Sequence, residues 1–150
     1  MSTTRGGEHT IGPDGLPELR ITRTLACGPA ELWDAVTKPD VLELWFGDVR
    51  LTEDHFGQFE VTAGSMAGVS GMTLVCQPPH TYQVTWDEPA GTPTKLQVEV
   101  LESPQGSELV LTHRGLSTSR ASDYESRWTT QLDRLASYAE RGPRAEHPAS

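Results

Sequence analysis

The sequence predicts an α+β domain in which an antiparallel sheet curls around a long C-terminal helix. Three observations predict it. Strand-length segments follow one another between residues 48 and 115, separated by turn residues with no helix among them. Two short helical patterns come directly after a first strand. A single apolar stripe at helical spacing closes the chain, and a curved sheet is the economical way to bury it.

The first strand is Leu19-Arg20-Ile21-Thr22-Arg23-Thr24-Leu25, whose alternation has the period of a strand with one buried face. Gly28-Pro29 interrupts it. Proline suits the first helical position, and Leu32, Trp33 and Val36 then share a face, so a short helix runs to about Thr37. Pro39 restarts the pattern, with Val41, Leu42, Trp45 and Phe46 recurring at helical intervals and Gly47 placed to cap the end. Strand candidates follow at 59–61, 71–76, 81–86, 95–101 and 108–113, divided by Gly57, Pro78-Pro79, Pro104 and Gly106 among others. Connections this short imply an antiparallel meander. Ser122-Asp123-Tyr124-Glu125 fits a capping box, and Tyr124, Trp128, Leu132, Leu135 and Ala139 form the closing stripe of a helix of about 20 residues that stops near Gly142-Pro143.

A chain of 150 residues is the size of one domain. Its ends, 1–17 and 142–150, lack apolar periodicity and read as flexible segments, which leaves 18–141 as the folded body. Twelve Lys and Arg oppose 21 Asp and Glu, and nearly all of the net charge of −9 lies in that body. A field of this sign repels phosphate backbones, so nucleic acid is not an expected partner. No apolar run reaches the roughly 18 residues of a membrane span, and the opening MSTTRGGEHTIGPDG lacks the apolar centre of a signal peptide, so a cytoplasmic location is expected. Cys27 and Cys76 have no CxxC spacing and read as buried free thiols. The five histidines show no HxxxH or HExxH spacing and no phosphate loop is present, so neither a metal nor a cofactor is expected.

Several segments together resemble a known family. The pieces are GPAELWDAVTKPDVLELWFGDV after the first strand, PPHTYQVTW, ELVLTHRGL, and a terminal helix holding Trp128 and Leu132. They are similar to the helix-grip superfamily called SRPBCC or START-like, and within it to the group related to the C-terminal domain of the activator of the heat-shock protein 90 ATPase. The resemblance covers nearly all of 18–141. It implies a sheet of about seven antiparallel strands gripping the last helix, with a cavity between them and the two short helices at one end. It also implies a small hydrophobic, aromatic or lipid-like ligand, a monomer or homodimer, and a chaperone as an alternative partner. Fold alone does not choose among the functions of such a superfamily.

Strand parity points to the wall of that cavity. Tyr82, Val84 and Trp86 share one face, as do Leu96, Val98 and Val100, and Leu109, Leu111 and His113, and these faces should meet the long helix. The candidate ligand-binding residues are therefore Phe46, Phe59, Met72, Tyr82, Trp86, Val98, Leu111, His113 and Trp128, with Met66 and Leu74 as further possibilities. Burying a large aromatic is worth on the order of 4 to 6 kcal/mol, so the same aromatics also serve as core. Residues at i and i+1 of a helix point about 100° apart, which assigns Phe46 to the cavity and Trp45 elsewhere. His113 reads either as a hydrogen-bonded core residue or as a polar handle. In a cyclase or dehydratase it would act with Tyr82 as acid and base.

Overall fold

The computed structural model describes residues 8–11, 17–51, 58–64, 66–88 and 93–145. Eight strands and three helices occur in the order β1 (Glu8–Ile11), β2 (Pro17–Leu25), α1 (Pro29–Thr37), α2 (Pro39–Trp45), β3 (Val49–Leu51), β4 (Gln58–Val61), β5 (Ser70–Gln77), β6 (Thr81–Trp86), β7 (Thr94–Ser103), β8 (Gly106–Arg114) and α3 (Thr118–Ala145). The sheet order is β1-β2-β8-β7-β6-β5-β4-β3, antiparallel throughout. From β3 to β8 the chain is a simple meander. Pairing of β2 with β8, from Glu18 opposite Arg114 to Leu25 opposite Ser107, brings the first long strand beside the last.

Seven strands, β2 to β8, make the curved sheet, and α3 crosses its inner face with Tyr124, Trp128, Leu132, Leu135 and Ala139 buried, the stripe seen in the sequence. The eighth strand, β1, extends the sheet edge within the segment 1–17 that had been expected to be flexible. It is held by main-chain pairing to β2, Glu8 opposite Arg20 through Ile11 opposite Pro17, and such pairing needs no apolar alternation to announce it. Residues 1–7 and 12–16, and residues 146–150 of the C-terminal segment, lie outside the described residues; Pro17 opens β2 and positions 142–145 close α3.

Local chemistry explains the helix ends. In α1 the Gly28 N–H donates to the Glu31 carboxylate at 3.2 Å, and Pro29 occupies the first turn. The end of α2 is closed by the Gly47 N–H on the Leu42 carbonyl at 3.0 Å. Gly47 has φ 144°, and a Cβ there would strike the Ala63 carbonyl oxygen, so this turn demands glycine. Helix α3 begins at Thr118, ahead of the expected capping box at Ser122, because the Ser117 hydroxyl accepts the Arg120 N–H at 3.4 Å and the Ser117 carbonyl accepts the Ala121 N–H at 2.8 Å. With that earlier start and an end at Ala145, it is 28 residues long rather than about 20.

Two polar side chains pin α3. Arg23 falls at an inward position of β2 and is buried, donating to the Leu132 carbonyl at 3.1 Å and to the Asp133 carboxylate at 2.7 Å. Gln131, also buried, donates to the Phe46 carbonyl at 2.7 Å and so ties α3 to the end of α2. Among the described residues, no helix is long and apolar enough to cross a membrane.

Candidate functional site

A cavity of about 210 Å³ lies between the sheet, α2 and α3. Its floor comes from alternate residues of adjacent strands: Tyr82, Val84 and Trp86 of β6, Leu96 and Val98 of β7, and Leu109 and Leu111 of β8. Helix α3 contributes Trp128 and Leu132, α1 contributes Val36, and α2 with its cap contributes Leu42, Trp45 and Phe46. At the mouth stand Leu51, 49% exposed, and Gln58.

One end of the cavity is a box of aromatic rings. Phe46 lies nearly flat against Trp128, with centroids 6.0 Å apart and planes 15° apart. Trp86 sits 5.2 Å from Trp128 and 6.4 Å from Phe46, Phe59 approaches Trp86 at 6.1 Å, and Trp45 meets Phe46 edge-on at 5.6 Å. These separations suit offset and edge-to-face ring contacts.

The N–H edges of the three indoles are satisfied by groups off the cavity wall. Trp45 Nε1 donates to the Ala35 carbonyl at 2.8 Å, Trp86 Nε1 to the Tyr124 hydroxyl at 3.0 Å, and Trp128 Nε1 to His113 Nδ1 at 3.2 Å. The Tyr82 hydroxyl donates to the Val36 carbonyl at 3.0 Å, and burial pushes its pKa well above the ordinary value. None of Ala35, Tyr124 and His113 is on the cavity wall.

His113 is fully buried behind the tryptophans, with ring centroids 5.8 Å from Trp86, 6.2 Å from Trp128 and 4.7 Å from Tyr124. Nδ1 accepts the Trp128 N–H, so the ring proton is on Nε2 and is donated to Thr94 Oγ1 at 2.8 Å. Thr94 in turn donates to the Trp86 carbonyl at 2.9 Å. Burial, with a smaller contribution from the Arg120 charge, lowers the His113 pKa to about 3, so the imidazole is neutral near pH 7.

Of the residues singled out by sequence, Phe46, Phe59, Tyr82, Trp86, Val98, Leu111 and Trp128 line the cavity. Two do not. His113 has the inward parity expected of it, but it is not on the cavity wall: it packs against Trp86 and Trp128, and both its ring nitrogens are engaged within the core, by Trp128 and Thr94. Met72 is on the outer face of β5 and 44% exposed, because Gly71, not Met72, stands opposite the inward Phe59. A register shift between Thr73 and Val75 then turns both Leu74 and Val75 outward and brings Cys76 back to the cavity wall. Met66 is buried but off that wall.

Trp45 lines the cavity together with Phe46, against the expectation that only one would. Trp45 closes α2 and Phe46 is its cap, and a concave wall curving around a helix end meets both rings. Sequence reasoning also passed over Thr73 and Cys76, for which strand parity gives no guide across a bulge, and over Val36, Leu42 and Leu132, which their helical stripes could have supplied. Cys27 is buried and free, whereas Cys76 is free and half-buried.

A curved antiparallel sheet closed over a C-terminal helix, with two short helices roofing an apolar cavity, defines a helix-grip protein of the SRPBCC, or START-like, class. Residues 26–140 match the family described as activator of Hsp90 ATPase homolog 1-like protein, and the chain belongs to that family. No curated protein matches the sequence significantly. Among solved structures, CalU16 from Micromonospora echinospora is 22% identical with a TM-score of 0.80, over 93% of this chain and 85% of that one. Protein MLL2253 from Mesorhizobium loti is 19% identical with a TM-score of 0.72, over 83% of this chain and 97% of that one. DynU16, a protein in the dynemicin biosynthetic locus, is 19% identical with a TM-score of 0.73, over 83% of this chain and 48% of that one. Similarity at these identities speaks for a shared fold.

Proposed function

We propose that the protein binds a small hydrophobic molecule, aromatic or lipid-like, in the cavity between sheet and α3. The observation that carries this is an apolar volume of about 210 Å³ that side chains leave unfilled. At about 24 cal/mol per Å³ a fully enclosed empty space of that size would cost about 5 kcal/mol, an upper bound for a cavity with a mouth. Whole domains have a stability of only about 5 to 15 kcal/mol. A fitting apolar occupant offsets that cost, whereas water finds few partners among ring faces and aliphatic chains.

The same geometry disfavours a cyclase or dehydratase that uses Tyr82 and His113, since acid–base work needs both groups within reach of one substrate. His113 is walled off, and the Tyr82 hydroxyl is engaged by Val36. A chaperone partner draws on the family likeness alone and on no feature of the site. The proposal takes 18–141 as the binding unit and the cytoplasm as its location.

Thermal-shift and native mass spectrometry with two-ring aromatics and fatty-acyl probes test it. At 100 times its dissociation constant a ligand stabilises the fold by about 2.7 kcal/mol, a readily measured rise in Tm. Val98→Phe, which projects a ring into the cavity, should remain folded and lose that response. Absence of any retained or stabilising probe, or an equal response in Val98→Phe, would overturn the proposal.

A further inference from the structure

All three indoles on the cavity wall give their N–H to groups that are not on it: Ala35, Tyr124 and His113. Two of these acceptors are main-chain or hydroxyl oxygens. The third is a ring nitrogen, and it can accept only while its own proton is on the opposite nitrogen. Thr94 enforces that state, because its hydroxyl hydrogen is committed to the Trp86 carbonyl at 2.9 Å, leaving only lone pairs to face Nε2. The chain Trp128–His113–Thr94–Trp86 therefore has one consistent direction of donation, and it begins and ends on the two tryptophans of the aromatic box.

Resting on the ligand-binding reading above, we propose that His113 is a positioning residue that sets what the cavity accepts. By holding the Trp128 N–H it leaves, among the described residues, ring faces and no free indole donor at the aromatic end, so that end takes an uncharged two-ring aromatic body and discriminates against isosteres that bring a hydrogen-bond acceptor there. The size follows from the volume: an apolar cavity of about 150 Å³ admits benzene, and 210 Å³ leaves room for a second fused ring. The selectivity follows from desolvation, since an acceptor carried into the box loses water and finds no donor in return.

The test compares naphthalene with quinoline, an isosteric pair differing by one ring nitrogen, by fluorescence titration of the full chain at pH 7.5. The wild type should prefer naphthalene. His113→Leu removes the acceptor that holds the Trp128 N–H away from the cavity, so the indole gains by turning that N–H toward a cavity ligand, which should lower the naphthalene-to-quinoline affinity ratio roughly tenfold, the scale of one buried donor regaining a partner. His113→Gln, which keeps an acceptor and a donor, should restore the ratio. A role confined to folding would move both affinities together and leave the ratio alone. If His113→Leu does not fold, Thr94→Val, which removes the acceptor of the Nε2 proton, should shift the ratio in the same direction by a smaller factor. An unchanged ratio in the folded variants overturns the inference while the cavity reading stands. Failure of the wild type to bind either probe overturns the cavity reading and this inference with it.

Discussion

The two sides of the Trp86–Trp128 pair are built from different residues and do opposite things. Behind the pair, His113, Thr94 and Tyr124 are buried and each makes a hydrogen bond to another member of the core. In front, the rings meet an unfilled apolar space walled by valines and leucines. The indole serves both sides, presenting its N–H edge to the polar core and its face to the cavity. A rigid hydrogen-bonded backing is what lets large aromatic rings stand at the edge of a void without collapsing into it, because turning them would leave a buried donor unsatisfied at a cost of about 1 to 3 kcal/mol.

The most severe way to break this contrast is to remove the partition. Trp128→Ala should destabilise the protein by about 3 to 5 kcal/mol, measured by urea unfolding, because it merges the two sides and enlarges the cavity. A loss under about 1 kcal/mol would show that the ring bears little of the packing.

The next effect sharpens the polar side. The His113 pKa falls from 6.5 in the unfolded chain to about 3 in the fold, so the unfolded state binds the extra proton between those values. Stability from this group is complete above about pH 6.5 and is lost as pH falls toward 3. Wild type should lose about 3 kcal/mol more than His113→Gln between pH 7 and pH 4, a difference that cancels the titration of surface carboxylates. Parallel pH profiles would contradict the buried neutral imidazole.

The smallest effect marks the outer face. Met72→Thr should change unfolding free energy by no more than about 0.5 kcal/mol and leave probe binding untouched, as expected for a half-exposed residue outside the cavity. A loss of binding would put Met72 on the wall after all.

Strand and helix periods in the sequence were enough to mark six of the eight strands and all three helices among the described residues, though they gave the wrong face for β5. They worked because burial on one face leaves a period of 2 or 3.6 in the order of residues. The same periods placed Tyr82, Trp86, Val98, Leu111 and Trp128 on the inside of the sheet and grip. They missed β1 and β3, which are four and three residues long and are held by main-chain pairing. Parity puts Arg23 on the inward face of β2, but not its partners, the Leu132 carbonyl and Asp133, which lie 109 and 110 residues away.

Order along the chain thus decided which faces are buried, since amphipathic spacing is a local property. Packing in three dimensions decided which buried residues touch the cavity. His113 and Leu111 share one face of β8, yet Leu111 lines the space and His113 is sealed behind two indoles. Met72 and Cys76 are four residues apart and strand parity alone would give them one face, yet a bulge between them leaves Met72 outward and turns Cys76 inward. Parity reports only a direction, and what lies in that direction is set by side chains brought from distant parts of the sequence.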